Sequence, residues 1–384
     1  MRINNNNLKI FLIVVFSSII LLKFIYIFIS DYFNAAIFVG GDAYGMFKQS
    51  ILYGKNIIYP SLDNPLTYFY FVLGKFYYLT FQNYIWASTI SIIAWVISFI
   101  YLFKSMKLLQ FSPKNIFIAA IIFSFTPSIF TITSTTLREV WQLLFVNMLL
   151  YYFIKFHLNQ KKFLFTLSVF IILTLILYVL HRALIIFGLF SILLIFYLLF
   201  LKIKIKNIYI PLFFIISFIL LLLFYVFFSN FYIDYGWAQL KKGIPLAVQQ
   251  YQQGLINSAP VARGNYINQS SITNYIDLLK IIPFNFLQYL FEPIFSYTKI
   301  NSVKDIVAVC ENLIRLFLII LFLYKFNFKN TVFLYIFILY LSIEILWSVG
   351  TVNWGTAIRH HIPSIGLLIM CSLYNNHVKL STLK

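Results

Sequence analysis

The chain has 384 residues, of which 62% are apolar and only 10% are charged. A soluble chain carries about 25% charged residues, so this composition excludes an ordinary water-soluble enzyme. The net charge of +19 would suggest nucleic acid as a partner of a soluble protein, but no basic stripe lies on a soluble module. We therefore predict no nucleic-acid binding and compare the charge with membrane topology first.

Long apolar segments follow one another along the chain. About 20 such residues cross the hydrocarbon core of a bilayer as a helix. The ten candidates are 9–30, 84–103, 115–133, 140–156, 163–180, 183–201, 208–229, 306–324, 330–349 and 361–376. The shorter segment 66–82 contains Lys75, which predicts an interfacial or re-entrant helix. The expected fold is all-α, a polytopic transmembrane bundle of about ten helices forming one membrane domain over residues 1–384.

The short loops predict the orientation of these helices. With the N-terminus in the cytoplasm, the inner loops and tails hold 15 Lys and Arg residues, and the short outer loops hold only Arg138, Arg182 and Arg359. Because cytoplasmic loops are enriched in Lys and Arg, we predict that both termini are cytoplasmic. Two outer (periplasmic) segments, 31–83 and 230–305, are long enough to carry function or short interfacial helices.

Two cysteines and the absence of cofactor motifs limit the chemistry. Cys310 and Cys371 each lie in an apolar segment, so neither a disulfide framework nor a cysteine metal site is expected. The chain contains no P-loop, no dinucleotide-binding GxGxxG and no HExxH motif. We predict no metal and no cofactor.

The first outer segment begins with Gly40-Gly41-Asp42. The two glycines free the backbone after the first helix, so that Asp42 can turn towards the membrane surface. Asp42 is a candidate general base or ligand of a sugar hydroxyl. Equally, it caps the amphipathic helix expected over 43–52.

The start of the fourth predicted helix combines opposite charges. Thr135 or Thr136 as N-cap and Glu139 in the first turn are typical of a helix start. Arg138 opposes the helix dipole there and needs an anionic partner. Glu139, lipid headgroups and a phosphate-bearing substrate are the three candidates.

Almost no loop separates the fifth and sixth predicted helices, so the hairpin holds His181 and Arg182 at the outer boundary. Arginine suits bidentate phosphate recognition, and histidine titrates near neutral pH. The structural alternative is a snorkelling Arg182 beside an interfacial His181.

The last outer loop carries Arg359, His360 and His361, which are predicted to open the tenth helix. Adjacent helical histidines point about 100° apart, so an anion site is favoured over zinc. In the large outer segment, Arg263 and Tyr266 are candidate substrate contacts.

Three further ionisable residues lie within predicted helices. Glu311 and Arg315 are four residues apart, which predicts an intrahelical ion pair. Glu344 lies inside the ninth helix and is either a hydrogen-bonded structural carboxyl or a proton site.

Outer arginines and histidines without a nucleotide site predict an anionic, lipid-linked substrate. A polyprenyl-phosphate or polyprenyl-pyrophosphate sugar fits, since its tail partitions into lipid and its phosphate can pair with arginine and then leave. Interfacial aromatic residues are candidates for stacking on sugar rings: Tyr44, Tyr53, Tyr68, Trp237 and Trp354.

The order of these motifs resembles the bacterial Wzy/EpsG-type polymerases, which assemble O-antigen, capsule or exopolysaccharide. The similar elements are Gly41-Asp42-x-Tyr44, Leu137-Arg138-Glu139, His181-Arg182-Ala183, Arg263–Tyr266 and Arg359-His360. They span most of the chain in order, although each is short. The sequence departs from the EpsG pattern at Glu139, where that pattern usually has Gln, and at Arg182, where it has Lys.

The resemblance implies a GT-C-like membrane glycosyltransferase of the bacterial inner membrane. It would transfer glycan from undecaprenyl pyrophosphate to an incoming lipid-linked repeat unit in polysaccharide or lipopolysaccharide biosynthesis. The expected partners are that lipid-linked oligosaccharide, membrane lipid, a chain-length regulator and a flippase. The expected pyrophosphate ligands are Arg138, Arg182 and Arg359, with Arg263, Tyr266 and His360 as further substrate contacts. Asp42, Glu139 and His181 are alternatives for the base.

Two other functions fit the sequence. A GT-C glycosyltransferase would add one sugar from a polyprenyl-phosphate donor, and the first outer segment suits it equally well. A transporter or flippase of lipid-linked oligosaccharide would line a path with charge in both leaflets. The crowding of Arg and His at the outer end favours an enzyme.

Overall fold

The computed structural model describes residues 5–34, 41–62, 64–159, 163–202, 244–258, 266, 272, 274–294, 300–326 and 330–374. Within these ranges the chain is helical and forms no β-strand. The predicted all-α class is thus confirmed. The predicted helix 208–229 lies outside the described residues.

The helices follow in chain order. The first nine described are α1 (Asn5–Tyr32), α2 (Asp42–Gly54), α3 (Leu66–Leu79), α4 (Tyr84–Leu108), α5 (Pro113–Phe125), α6 (Pro127–Ile132), α7 (Glu139–Asn159), α8 (Phe163–Leu180) and α9 (Leu184–Lys202). The others are α10 (Ile244–Ser258), α11 (Tyr275–Phe291), α12 (Val303–Lys325), α13 (Thr331–Gly350), α14 (Trp354–His360) and α15 (Ile365–Ser372).

Five of the described helices are long and apolar enough to cross a membrane, namely α1, α4, α8, α12 and α13. The apolar helices Pro113–Phe125 and Leu184–Leu199 are shorter. Large apolar side chains such as Ile13 and Phe317 are exposed on these helices. Such surfaces suit contact with lipid, where helices satisfy their own backbone hydrogen bonds. The fold is therefore compatible with a multi-pass membrane protein.

Proline interrupts two of the predicted helices. The segment 115–133 is divided into α5 and α6 at Pro127, which has no N–H to continue the helical ladder. The tenth helix is shorter than predicted, because the chain turns over 361–364 around Pro363 before α15 begins. Hydropathy does not register these breaks, since the interrupted segments stay apolar.

Two close helix contacts position the first outer segment against the bundle. The helices α2 and α3 cross at Gly54 and Gly74, where a Cβ on Gly74 would overlap the carbonyl oxygen of Ser50. The helices α4 and α7 share the main apolar core, and Asn147 donates to Ser98 Oγ at 2.9 Å between them. Small residues at crossings are the usual means of close packing between membrane helices.

Candidate functional site

An arginine from the C-terminal part of the chain links two carboxylates from the N-terminal half. Arg359 Nη1 lies 2.8 Å from Asp42 Oδ2, and Nη2 lies 3.0 Å from Glu139 Oε1. The Nε of Arg359 also donates to Glu139 Oε1 at 3.2 Å. The structure thus joins three residues that the sequence singled out separately.

Each of these side chains stands at a helix end of suitable polarity. Asp42 opens α2 and Glu139 opens α7, so both carboxylates lie at positive helix ends. Arg359 is in the last turn of α14, at a negative end. The prediction that Arg359 opens a helix is therefore wrong, and the three charges favour the helices that carry them.

The predicted capping role of Thr136 is also wrong. Thr136 Oγ1 donates to the carbonyl oxygen of Ala43 at 2.6 Å, and Thr135 Oγ1 donates to that of Ile132. The bond to Ala43 ties the turn before α7 directly to the first turn of α2. This contact joins the turn before Glu139 to the helix that begins with Asp42.

Arg138 completes what we call the arginine–carboxylate cluster: Asp42, Arg138, Glu139 and Arg359. Its Nη1 donates to the carbonyl oxygen of Leu180 at 3.2 Å, so it connects α7 to the end of α8. Its Nε is buried without a hydrogen-bond partner. Because an unsatisfied buried donor is costly, Arg138 retains unused capacity to bind an anion.

The two carboxylates of the cluster differ in accessibility. Glu139 is 2% exposed, whereas Asp42 is 61% exposed. Burial alone would raise the pKa of Glu139, but the guanidinium groups of Arg359 and Arg138 outweigh it and lower that pKa. Glu139 also raises the pKa of Arg359. The buried pair is therefore ionised at neutral pH.

Two histidines pack around one indole beside the cluster. The ring of His360 stacks on Trp347 with centroids 4.1 Å apart, and His181 meets the same indole edge-on at 4.4 Å. Burial lowers the pKa of both histidines, helped by Arg138 near each ring. Both rings are therefore neutral near pH 7.

The hydrogen bonds of the two rings assign complementary tautomers. His181 Nδ1 accepts from Ala183 N–H at 3.3 Å, so its proton is on Nε2. Thr351 Oγ1 donates to the carbonyl oxygen of Trp347 at 2.8 Å and lies 2.9 Å from His360 Nδ1, which must then be the donor. A neutral imidazole has one N–H and one lone pair, so His181 offers an Nε2–H donor and His360 an Nε2 acceptor.

Other predicted contacts lie apart from the cluster or outside the described residues. Arg182 is half-buried and lies beside His181. Tyr266 is buried against Ala308 and Trp354, and its N–H donates to Val352 O at 2.9 Å. Arg263 falls outside the described residues.

Most of the aromatic residues predicted to stack on sugars are packed inside the protein. Tyr44 stacks on Tyr84 with centroids 4.1 Å apart, and Tyr53 and Trp354 are buried. Their apolar area stabilises the fold, which leaves Tyr68 as the exposed candidate. Trp237 is outside the described residues.

Two residues of the site were not predicted. Trp347 lies in an apolar span and gave no signal. Tyr70, buried in α3, interacts electrostatically with the arginines and Glu139 of the cluster, and burial raises its pKa to about 12. Because α3 contains four tyrosines, the sequence did not single out Tyr70.

A second buried polar network lies on α11 to α15. Glu344 accepts from Ser364 Oγ and lies 2.6 Å from His361 Nδ1, and His361 Nε2 lies 3.1 Å from Tyr289 O. The ion pair predicted between Glu311 and Arg315 is not formed, since Arg315 donates to Asn312 Oδ1. This network is a hydrogen-bonded connection between helices. Within the described ranges, no group of three or more His, Cys, Asp or Glu side chains could hold a metal ion.

No protein-family model matches the chain, and no curated protein or solved structure is significantly similar to it. Support for a function comes from the chemistry of the residues described above.

Proposed function

We propose that the chain is an inner-membrane glycosyltransferase that polymerises lipid-linked oligosaccharide repeat units. It transfers glycan from undecaprenyl pyrophosphate to an incoming repeat unit on the outer face of a bacterial inner membrane. The proposed scaffold is a GT-C-like bundle of about ten helices with both termini in the cytoplasm. The observation that carries the proposal is the meeting of Asp42, Arg138, Glu139 and Arg359 at the ends of three helices in an apolar bundle.

The arginines suit a pyrophosphate leaving group. Departure of pyrophosphate develops negative charge, which prearranged cations stabilise more strongly than water does. Arg138 has an unsatisfied Nε, and Arg359 presents Nη1 to the exposed Asp42. A diphosphate can take the place of Leu180 O on Arg138 and approach Arg359 from the Asp42 side. Arg182 adds a third positive charge beside His181.

Among the carboxylates, Asp42 fits best as the general base. Glu139 is buried and uses Oε1 for two bonds to Arg359, so it orients that guanidinium. Asp42 contacts Arg359 through Oδ2 and is exposed, which leaves Oδ1 for the acceptor hydroxyl. In the proposed step Asp42 takes the hydroxyl proton, the oxygen bonds to the anomeric carbon, and the bond from that carbon to pyrophosphate breaks.

His181 fits the leaving-group side of the same step. Its Nε2–H can donate a hydrogen bond to a phosphate oxygen without any change of protonation state. This role differs from the base considered for His181 on sequence grounds, and it follows from the bond between its Nδ1 and Ala183 N–H.

A transporter of lipid-linked oligosaccharide is a second candidate. The described helices bury the ionisable side chains of Arg315 and Glu344, which are not members of the cluster. Ionisable groups at membrane depth commonly mark a translocation path. The network on α11 to α15 is where such a path would run.

Deletion of the gene followed by electrophoresis of surface polysaccharide tests the proposal. A collapse of the ladder to a single repeat unit supports a polymerase. A truncated repeat indicates a single-sugar transferase, and complete repeats that accumulate at the cytoplasmic leaflet indicate a transporter. An unchanged ladder overturns the proposal. Complementation with Arg359→Ala should fail, while Lys48→Ala, which removes an exposed charge from α2, should restore the ladder.

A further inference from the structure

The short helix α6 and the turn after it lead directly into the arginine–carboxylate cluster. Residues 131–137 are all buried, and Arg138 and Glu139 follow at once. The path of this segment therefore decides where the side chains of Arg138 and Glu139 stand. A buried ionisable side chain bonds to each end of α6.

Lys23 of α1 bonds to the C-terminal end of α6 and to the turn after it. Its side chain is 0% exposed, and Nζ donates to Phe130 O at 2.8 Å, Thr133 Oγ1 at 2.5 Å and Ser134 Oγ at 3.2 Å. The ammonium group also lies over the ring of Trp95, 4.6 Å from its centroid. In the part of the chain that the structure describes, no carboxylate pairs with Lys23.

The hydrogen-bond pattern makes Lys23 the donor to residues 130–134. Thr133 Oγ1 donates to Ile129 O at 2.5 Å, and Ser134 Oγ donates to Phe130 O at 2.6 Å. Both hydroxyl protons are thereby used, so three acceptor oxygens face Nζ. In its charged form the Lys23 amine has three N–H donors, one for each of these oxygens.

Glu311 of α12 bonds to the N-terminal end of α6. Its Oε1 accepts from the backbone N–H of Ser128, and the side chain is 2% exposed. The carboxyl oxygen thus accepts at the N-terminal end of α6, and the Lys23 amine donates at its C-terminal end. A third contact, from Thr136 Oγ1 to Ala43 O, fixes the following turn against α2.

The depth of Lys23 argues against a purely space-filling role. It lies nine residues before Tyr32, the end of α1, which is about 13 Å along the helix axis. A charge so deep in an apolar bundle is costly, and a methionine would fill the same volume without that cost. The Lys23 amine instead bonds to three oxygens of the segment that precedes Arg138.

We propose that Lys23 and Glu311 are positioning residues for the arginine–carboxylate cluster. They hold α6 and residues 133–136 so that Glu139 meets Arg359 beside Asp42. The consequence for glycan transfer rests on the proposed function, whereas the geometric claim does not.

Cross-linking tests the geometry in the full-length protein. Cysteines replace Ala43 and Thr136 in a background with Cys310→Ser and Cys371→Ala, and a short bis-thiol reagent is applied to membrane vesicles. The Thr136 bond to Ala43 is then absent from every variant alike, so differences in rate report Lys23 and Glu311. Lys23→Met should slow cross-linking at least fivefold, Glu311→Gln should slow it less, and Lys23→Arg should retain most of it.

The matched control is Lys9→Met, which removes an exposed lysine from α1. Cross-linking of Lys23→Met at the parental rate overturns the inference.

The polysaccharide ladder then separates this inference from the proposed function. Lys23→Met should lose the ladder at normal protein level, and Lys23→Arg should restore it in part. Slow cross-linking with an intact ladder supports positioning and contradicts the proposed reaction at the cluster. Normal cross-linking with a lost ladder contradicts positioning. Size-exclusion profiles of Lys23→Arg and Lys23→Met report whether each variant is folded.

Discussion

At the residue scale, the two carboxylates that contact Arg359 should respond in opposite ways to amide substitution. Asp42 is exposed and proposed as the base, so Asp42→Asn should abolish the ladder. Glu139 orients Arg359, and a Gln oxygen can still accept from a guanidinium. Glu139→Gln should therefore retain a ladder.

Polysaccharide gels of cells complemented with each variant, at matched protein level, distinguish these roles. Both substitutions keep the side-chain volume and remove one negative charge, so each controls for the other. A ladder from Asp42→Asn together with none from Glu139→Gln would reverse the assignment and make Glu139 the base.

The lowered pKa values of His181 and His360 predict how the stability of the folded protein depends on pH. The ordinary histidine pKa is about 6.5, and burial lowers that of His181 and His360 in the folded protein. The unfolded chain then binds more protons as pH falls below about 6.5, so stability is present above that pH and is lost below it. The unfolding midpoint should be flat from pH 8 to 7 and should fall towards pH 5.

Thermal unfolding in detergent measures this dependence directly. His360→Gln keeps a donor for Thr351 and removes one titrating ring, so its midpoint should fall less between pH 7 and pH 5. Equal midpoints for the unsubstituted protein at pH 7.5 and pH 5.5 would contradict the prediction.

At the element scale, the length of the apolar segments predicted most helices. It did not predict where a helix is interrupted. The spans 84–103 and 163–180 appear as α4 and α8 because twenty apolar residues leave few alternatives to a helix. The division at Pro127 and the separate helix α14 could not be read from hydropathy. Those breaks precede Arg138 and Arg359, so the elements that carry the arginine–carboxylate cluster were the least predictable ones.

The contact between α2 and α3 gives a prediction at the same scale. A Cβ at Gly74 would overlap backbone atoms of Ser50 and Gly54, and backbone cannot move aside as a flexible side chain can. Gly74→Ala should therefore destabilise the protein by about 1–3 kcal/mol, the range for overpacking. Gly45→Ala, on the open face of α2 with nothing within 4 Å of the added carbon, is the control and should leave the unfolding midpoint unchanged. Equal midpoints for the two variants would show that α2 and α3 are not in contact.

At the scale of the whole molecule, topology predicted which residues share an end of the bundle and not which of them touch. The positive-inside pattern assigned Asp42, Glu139, His181 and Arg359 to one side, and the structure brings these residues to one end. Which of them form pairs could not be predicted from the sequence, because these contacts join residues 317 and 220 positions apart. The sequence did not single out Lys23, because one lysine within an apolar helix does not show which oxygen atoms it will bond to.

Orientation in the membrane decides which substrates can reach the cluster. If the predicted topology holds, Lys48 of α2 faces the outside with the cluster, and Lys107 at the end of α4 faces the cytoplasm. Both side chains are exposed, so single cysteines at these positions, in the cysteine-free background, should react readily with thiol reagents. A membrane-impermeant reagent applied to spheroplasts should label the cysteine at position 48 and leave that at position 107 unlabelled until the cells are lysed. The reverse pattern would place the cluster in the cytoplasm, where nucleotide sugars are available, and would remove the reason for a lipid-linked donor.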